Sequence, residues 1–192
     1  MKETKPRLYI LPGWGHRLSD KEYRDISHTK NFTLTPLRLR TRNRRYVLGG
    51  KESFASVIRA IEKQIRKPTE RDVILGFSIG ALEAYKLAER YTFAHLILCS
   101  TSVVIGSDLK TYPKDIALKI FSPNQYREMQ KLRFGSLKTK KVTVLYGEKE
   151  DTLLKKRSQL ISKKKGVTLI EVKGADHYLN GEYRRQLKKL LK

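Results

Sequence analysis

The segment from residue 72 to residue 91, DVILGFSIGALEAYKLAERY, constrains the fold more than any other part of the chain. A short apolar run meets the pentapeptide GFSIG at 76–80, and residues with helical spacing follow at once. This order is typical of a strand, a sharp turn that carries a serine, and a helix. Gly76 and Gly80 stand where the strand and helix backbones pass too close for a Cβ atom. The segment therefore predicts that Ser78 lies exposed at the end of a parallel strand.

Apolar runs rich in β-forming residues alternate with helix-spaced segments along the whole chain. This alternation is typical of βα units on a parallel sheet. The predicted strands number six and lie at 7–11, 32–39, 72–76, 94–99, 141–146 and 167–172. Apolar stripes predict helices at about 52–66, directly after Ser78, from about 153, and at the end of the chain. The fold class is therefore α/β, a three-layer sandwich with helices on both faces of a six-stranded parallel sheet.

One domain is expected over residues 1–192, because this length suits a single core. A longer connection at about 100–140 contains a helical stretch led by Pro113 and a second around 124–134. Connections at this place can fold over the ends of the strands. We therefore predict a small, lid-like insertion within the single domain.

The composition predicts a soluble globular protein, with 39% hydrophobic and 32% charged residues. No apolar stretch is long enough to span a membrane, and the first fifteen residues lack the pattern of a signal peptide. The single cysteine, Cys99, cannot form an internal disulfide, and its apolar surroundings favour a buried thiol. We expect a cytoplasmic protein, and no residue pattern implies a metal or an organic cofactor.

The formal net charge of +23 predicts a positive potential over much of the surface. Nucleic acid, an acidic carrier protein, an anionic lipid surface or a negatively charged small substrate would all be attracted, in a salt-dependent way. A bias of composition toward lysine explains the same charge without any function. An alternative interpretation of the whole chain is therefore a basic module that binds nucleic acid or an acidic protein. No nucleic-acid recognition motif is visible, and aromatic residues are not interleaved with the basic runs.

A serine nucleophile needs a general base and an acid that orients the base. His177 lies in GADHYLN, between the last predicted strand and the last helix, and so at the same end of the sheet as Ser78. The preceding strand ends in YGEKED, which offers Glu148, Glu150 and Asp151. Glu150 is the first choice because it lies three residues after the glycine, and Asp151 is the second. The acids not used are expected to begin a helix, where negative charge is favourable.

The order serine, acid, histidine resembles that of the α/β-hydrolase superfamily, and the resemblance covers essentially all 192 residues. It implies the strand order 4-3-5-6-7-8 in the superfamily's nomenclature, without the first two strands of larger members. LPGWGH at 11–16 resembles the superfamily's His-Gly-x-Gly turn, with Pro12 in place of the histidine. By this resemblance, the backbone N–H groups of Trp14 and Ile79 form the oxyanion hole. The implied activity is hydrolysis of a carboxylic ester or thioester through an acyl-enzyme.

The chain departs from the superfamily pattern after the second predicted strand, where it has PLRLRTRNRRYVLGG. The carboxyl ends of parallel strands line the sites of open sheets, so this arginine group is expected on the serine's side of the molecule. Arginine suits carboxylate or phosphate groups. Arg40 and Arg42 are therefore candidate substrate-binding residues for an anionic acyl group or for one carried by an acidic carrier protein. A solvated loop is the simpler interpretation.

Overall fold

The computed structural model describes residues 5–16, 21–27, 31–35, 37, 41–42, 45–46, 53–65, 67–101, 105–106, 109, 114–115, 118 and 121–192. Its strands are β1 (Arg7–Leu11), β2 (Thr33–Thr35), β3 (Thr41–Arg42), β4 (Arg45–Tyr46), β5 (Val73–Phe77), β6 (His95–Cys99), β7 (Val142–Gly147) and β8 (Val167–Val172). Its helices are α1 (Lys21–Ser27), α2 (Phe54–Ile65), α3 (Ile79–Ala88), α4 (Pro123–Lys131), α5 (Thr152–Ser162) and α6 (Gly181–Leu190).

Six of the strands form one sheet in the order β2-β1-β5-β6-β7-β8, and all neighbouring strands are parallel. The prediction of a six-stranded parallel sheet is confirmed, as is the implied strand order. Every residue of β5, β6 and β7 is buried, whereas the edge strands β2 and β8 are partly exposed. This is the pattern expected when helices cover both faces of the central strands.

Two hydrophobic clusters lie on opposite faces of the sheet. On one face α2, α3, α4 and Ile161 of α5 pack against the sheet, and on the other face α1 and α6 do so. The chain therefore folds as three layers, as predicted. α3 differs from the expected amphipathic helix, since nine of its ten residues are buried. Its small residues, such as Gly80 and Ala84, allow this close packing.

The sheet has a switch point between β1 and β5. The chain runs outward from β1 to β2 on one side and from β5 through β6 and β7 to β8 on the other. Ligands of open α/β sheets bind at the carboxyl ends of strands beside such a point. The PGWG turn after β1 and the GFSIG turn after β5 therefore lie where a site is expected.

The connection at 100–140 is described in part. α4 and its capping box at Ser122 and Gln125 coincide with the second predicted helix. Most of the stretch led by Pro113 lies outside the described residues, and the function of a lid stays a prediction. In the part of the chain that the structure describes, no helix has both the length and the apolar character needed to cross a bilayer.

Candidate active site

Ser78 lies at the sharp turn between β5 and α3. Its φ of 54° and ψ of −116° form a backbone conformation that side chains rarely adopt. Its N–H donates to the carbonyl oxygen of Cys99 at 2.9 Å, which ties the turn to β6. A Cβ atom on Gly76 would overlap the Gly80 carbonyl, and one on Gly80 would overlap the carbonyl of Leu11. Both glycines are therefore required for the turn that presents the serine.

His177 lies on the loop between β8 and α6, and its side chain reaches Ser78. The Nε2 atom is 3.2 Å from Ser78 Oγ, within hydrogen-bond distance. The imidazole packs on the ring of Phe77, with ring centroids 5.6 Å apart and planes tilted by 36°. The His177 side chain is 43% exposed, whereas its Nδ1 atom is buried.

Glu150 lies in the turn after β7, on the other side of the imidazole. Its Oε1 atom is 3.8 Å from His177 Nδ1, and its side chain is fully buried. This separation is longer than a hydrogen bond. Among the described residues Nδ1 has no hydrogen-bond partner. Contacts of this kind are often long before a substrate binds, so a small movement of the imidazole would complete the hydrogen bond.

Backbone hydrogen bonds join the loop of Glu150 to the loop of His177. The N–H of Glu148 donates to the carbonyl of Val172 at 3.0 Å, and the N–H of Lys149 donates to that of Ala175 at 2.8 Å. A Cβ atom on Gly147 would lie 2.5 Å from the Ala175 carbonyl oxygen. Glycine at this position therefore lets the two loops approach, and the loops hold base and acid together.

Two residues that sequence reasoning missed hold the Glu150 carboxylate. Tyr183 Oη donates to Oε1 at 2.7 Å, and Ser100 Oγ donates to the same oxygen. The two hydroxyl groups are also 2.7 Å from each other. Burial, and then the negative charge of Glu150, raise the pKa of Tyr183, so its hydroxyl stays protonated as a donor. The available signals were the position of Ser100 directly after β6 and a tyrosine in the apolar stripe of α6.

The other two acids of YGEKED have different roles. The Asp151 carboxylate is exposed and caps α5 by accepting a 2.7 Å hydrogen bond from the Leu153 N–H. The exposed Glu148 accepts a 2.8 Å hydrogen bond from the N–H of Gly174. The structure therefore brings Glu150, and neither Asp151 nor Glu148, towards the imidazole.

The turn after β1 lies against Ser78. A Cβ atom on Gly13 would be 3.3 Å from the Ser78 Cβ, and the Gly13 N–H donates to Tyr23 Oη at 3.0 Å. The next residue, Trp14, has a side chain that is 47% exposed. Ile79 begins α3 and is buried. The turn that carries Trp14 and the helix start at Ile79 therefore flank the serine from two sides.

The structure tests little of the arginine group. Arg40 lies outside the described residues, and Arg42 is described only through its backbone in β3, which pairs with β4 in an antiparallel ladder. This short ladder was not predicted, because two-residue strands leave no periodic pattern. Within the described part of the chain, no group of three or more His, Cys, Asp or Glu side chains is placed to hold a metal ion.

Comparisons of the sequence find no matching family model and no matching curated protein. Comparisons of the structure find many solved proteins with a similar fold. Est1E from Butyrivibrio proteoclasticus, solved with ferulic acid, has a TM-score of 0.69 and 18% sequence identity, over 100% of this chain and 88% of that one. The type II thioesterase BorB of the borrelidin biosynthetic cluster has a TM-score of 0.67 and 16% identity, over 98% of this chain and 90% of that one.

A third match is the α/β hydrolase domain-containing protein 10 from mouse, with a TM-score of 0.69 and 14% identity over 100% of this chain and 90% of that one. The three proteins are similar to this chain in fold, at identities too low to transfer an activity. Their similarity spans nearly the whole chain. The chain therefore has an α/β-hydrolase fold.

Proposed function

We propose that the protein is a serine hydrolase that cleaves a carboxylic ester or thioester. The observation that carries the proposal is the 3.2 Å contact between Ser78 Oγ and His177 Nε2 at a strained strand-to-helix turn. A serine with unusual φ and ψ angles next to a histidine is costly for a structural role and useful for a nucleophile. Esterases and thioesterases among the proteins of similar fold support the same reaction class.

In the proposed mechanism, Ser78 Oγ attacks the substrate carbonyl carbon while His177 Nε2 takes the hydroxyl proton. The proton then passes from His177 to the leaving alcohol or thiol, and an acyl-serine remains. A water molecule, deprotonated by His177, attacks the acyl-serine; the bond to Ser78 Oγ breaks, His177 returns the proton to that oxygen, and the carboxylic acid is released. The N–H groups of Trp14 and Ile79 stabilise the oxyanion, and each such donor is worth about 3 kcal/mol in comparable sites.

In this mechanism the Glu150 carboxylate stabilises the imidazolium form of His177. Its Oε1 atom accepts hydrogen bonds from Ser100 and Tyr183 and faces Nδ1. Hydrogen bonds to a buried carboxylate offset part of the cost of removing its charge from water. Ser100 and Tyr183 are therefore proposed as positioning residues, which hold the acid without touching the substrate.

A finer proposal concerns the substrate, which is expected to be anionic or to be carried on an acidic carrier protein. The net charge of +23 attracts such partners. Thioesterases from biosynthetic pathways are among the proteins of similar fold. Arg40 and Arg42 are the residues proposed to contact the anionic group, since they follow a strand whose end faces the site.

The test of the catalytic proposal is labelling with a fluorophosphonate probe, combined with turnover of p-nitrophenyl esters and acyl thioesters of graded chain length. Labelling and turnover are expected in the wild-type protein and should be absent from Ser78→Ala. A wild-type protein that is neither labelled nor active would overturn the proposal. Matched neutral and anionic esters, compared at low and high salt, test the substrate proposal, which fails if no preference and no salt dependence appear.

A further inference from the structure

A cavity of about 410 Å³ lies beside the C-terminal half of α5, and we call it the α5 cavity. This volume falls within the range of small-molecule sites, roughly 300–1,000 Å³. Its walls are formed by α5, by residues 105–106 and by the extended segment 132–134 after α4. None of Ser78, His177 and Glu150 lines it. Leu160 lies nine residues after Asp151, the N-cap of α5. At 1.5 Å per residue, this part of the cavity wall is about 13 Å along the helix from the turn that carries Glu150.

One wall of the α5 cavity is held rigidly by α3. The ring of Phe134 packs edge-on against that of Tyr85, with centroids 4.5 Å apart. Tyr85 Oη donates to the Gly135 carbonyl at 2.7 Å, and the Gly135 N–H donates to Glu89 Oε1 at 2.7 Å. The segment that carries Phe134 is therefore fixed at both its ring and its backbone.

Two guanidinium groups are held at the wall. Arg157 is 8% exposed, and its guanidinium lies 5.0 Å from the centre of the Phe134 ring. Arg133 donates to the carbonyl oxygens of Gln130 and Leu132 at 3.0 and 2.9 Å. A Cβ atom on Gly106 would lie 2.8 Å from this guanidinium, so glycine there leaves room for it. The two cations are thus positioned before any ligand arrives.

The lining combines positive charge with apolar surface. Its described residues include four basic side chains and no carboxylate, and the apolar members are Ile105, Leu132, Phe134, Leu160 and Ile161. Leu160 is 53% exposed, so it leaves aliphatic surface uncovered at the cavity. An apolar body would bury this surface, and an anionic head would meet the guanidinium forks.

We propose that the α5 cavity binds an amphipathic monoanion, namely a carboxylate carried on an apolar chain. The chain contacts the aliphatic side chains and Phe134, and the carboxylate pairs with Arg157 and Arg133. The inference does not depend on the proposed hydrolysis, because it uses no residue of the catalytic group. Should hydrolysis hold as well, its carboxylic acid product would belong to the same chemical class as this ligand.

The test is calorimetric titration of the wild-type protein with decanoate, decanol, decyl phosphate and decyltrimethylammonium. Decanoate is expected to bind one to one, at least about tenfold more tightly than decanol, and the cation should not bind. Arg157→Met and Arg133→Met should each weaken decanoate binding by about tenfold or more. Lys188→Met, which removes one exposed charge from α6 on the opposite face, is the matched control and should leave the affinity unchanged.

Methyl NMR spectra locate the ligand. Decanoate should shift the methyl resonances of Ile105, Leu132 and Leu160 and leave those of Ile79, beside the serine, in place. Equal affinities for decanoate and decanol, wild-type affinity in both arginine variants, or shifts confined to Ile79 would each overturn the proposal. Tighter binding of decyl phosphate than of decanoate would overturn the assignment to carboxylates. Using two arginine variants keeps the test decisive even when one of them does not fold.

Discussion

Tyr183 Oη donates a 2.7 Å hydrogen bond to Glu150 Oε1, the carboxylate oxygen that faces His177 Nδ1. The two residues come from different elements, α6 and the turn after β7, and lie 33 positions apart. Helix α6, which packs on one face of the sheet, thus holds the acid that follows β7. The catalytic proposal therefore includes Tyr183 in addition to the serine, the histidine and the acid.

Tyr183→Phe is expected to lower kcat by roughly 10- to 100-fold with little change in KM, because a charge-assisted hydrogen bond to Glu150 is worth about 1.5–3 kcal/mol. Steady-state kinetics with the best ester of the chain-length series measures this effect. Tyr85→Phe is the control, since it removes a buried hydroxyl of α3 that bonds Gly135. Equal losses of kcat in the two variants would mean that Tyr183 contributes only to folding.

Glu150→Gln and Asp151→Asn should separate the two acids that the sequence leaves open. Glu150→Gln is expected to lower kcat by about 10³- to 10⁴-fold, because the imidazolium loses its counter-charge. Asp151→Asn should keep kcat, since asparagine also caps helices, and Asp151→Ala should cost about 1 kcal/mol of stability through loss of the cap of α5. The proposal for Glu150 fails if Asp151→Asn is the variant that loses activity.

Gly147→Ala is expected to reduce activity and to lower the free energy of unfolding by about 1–3 kcal/mol, because its Cβ would press on the Ala175 carbonyl. The clash separates the loops of Glu150 and His177. Gly181→Ala is the control, since a Cβ there has its nearest contact at 3.9 Å. Activity and denaturant unfolding are measured for both variants. Equal losses of activity and stability in Gly147→Ala and Gly181→Ala would contradict the expectation.

Ser78→Gly should be inactive and yet more stable than Ser78→Ala by about 1 kcal/mol, because glycine adopts a φ of 54° without strain. Chemical denaturation of the two inactive variants measures the difference. Alanine and glycine variants of equal stability would show that the turn stores no such strain.

The stability of the fold should depend on pH through His95, whose pKa is lowered by burial, and secondly by the charge of Lys141, from 6.5 to about 4. Between these values the unfolded chain binds a proton at His95 and the folded protein does not, so acid favours unfolding. Stability is retained above pH 6.5 and is lost by about 3 kcal/mol as the pH falls to 4. In His95→Gln this part of the pH dependence should disappear from unfolding curves at pH 7 and pH 4. An unchanged difference would rule out His95 as the source.

The sequence predicted the sheet because its strands are short apolar runs separated by segments with helical periodicity. Turn chemistry predicted the position of Ser78, and the order of the loops predicted that His177 would lie at the same edge. The contact of Ser100 with Glu150 could not be predicted, since it joins residues 50 positions apart and Ser100 belongs to no motif. The choice between Glu150 and Asp151 was also open, because adjacent residues on a turn point in different directions that only the folded loop defines.

The helix after Ser78 shows a second limit. Its spacing predicted one buried stripe, whereas the structure buries nearly the whole of α3. An apolar stripe predicts the burial of a helix that packs on one surface only. The prediction fails for α3, because α2 and the segment after α4 also cover its side facing away from the sheet. The α5 cavity could not be predicted from the sequence, because its walls come from three separate parts of the chain.

The candidate site is assembled from two pairs of strands, with β6 between them. The serine and its neighbouring amide turn follow β5 and β1, while the histidine and the acid follow β8 and β7. The contact between Ser78 Oγ and His177 Nε2 therefore joins loops that lie on opposite sides of β6. The Ser78 N–H is bonded to the Cys99 carbonyl at the end of β6, so we expect substitutions inside β6 to shift the nucleophile relative to His177.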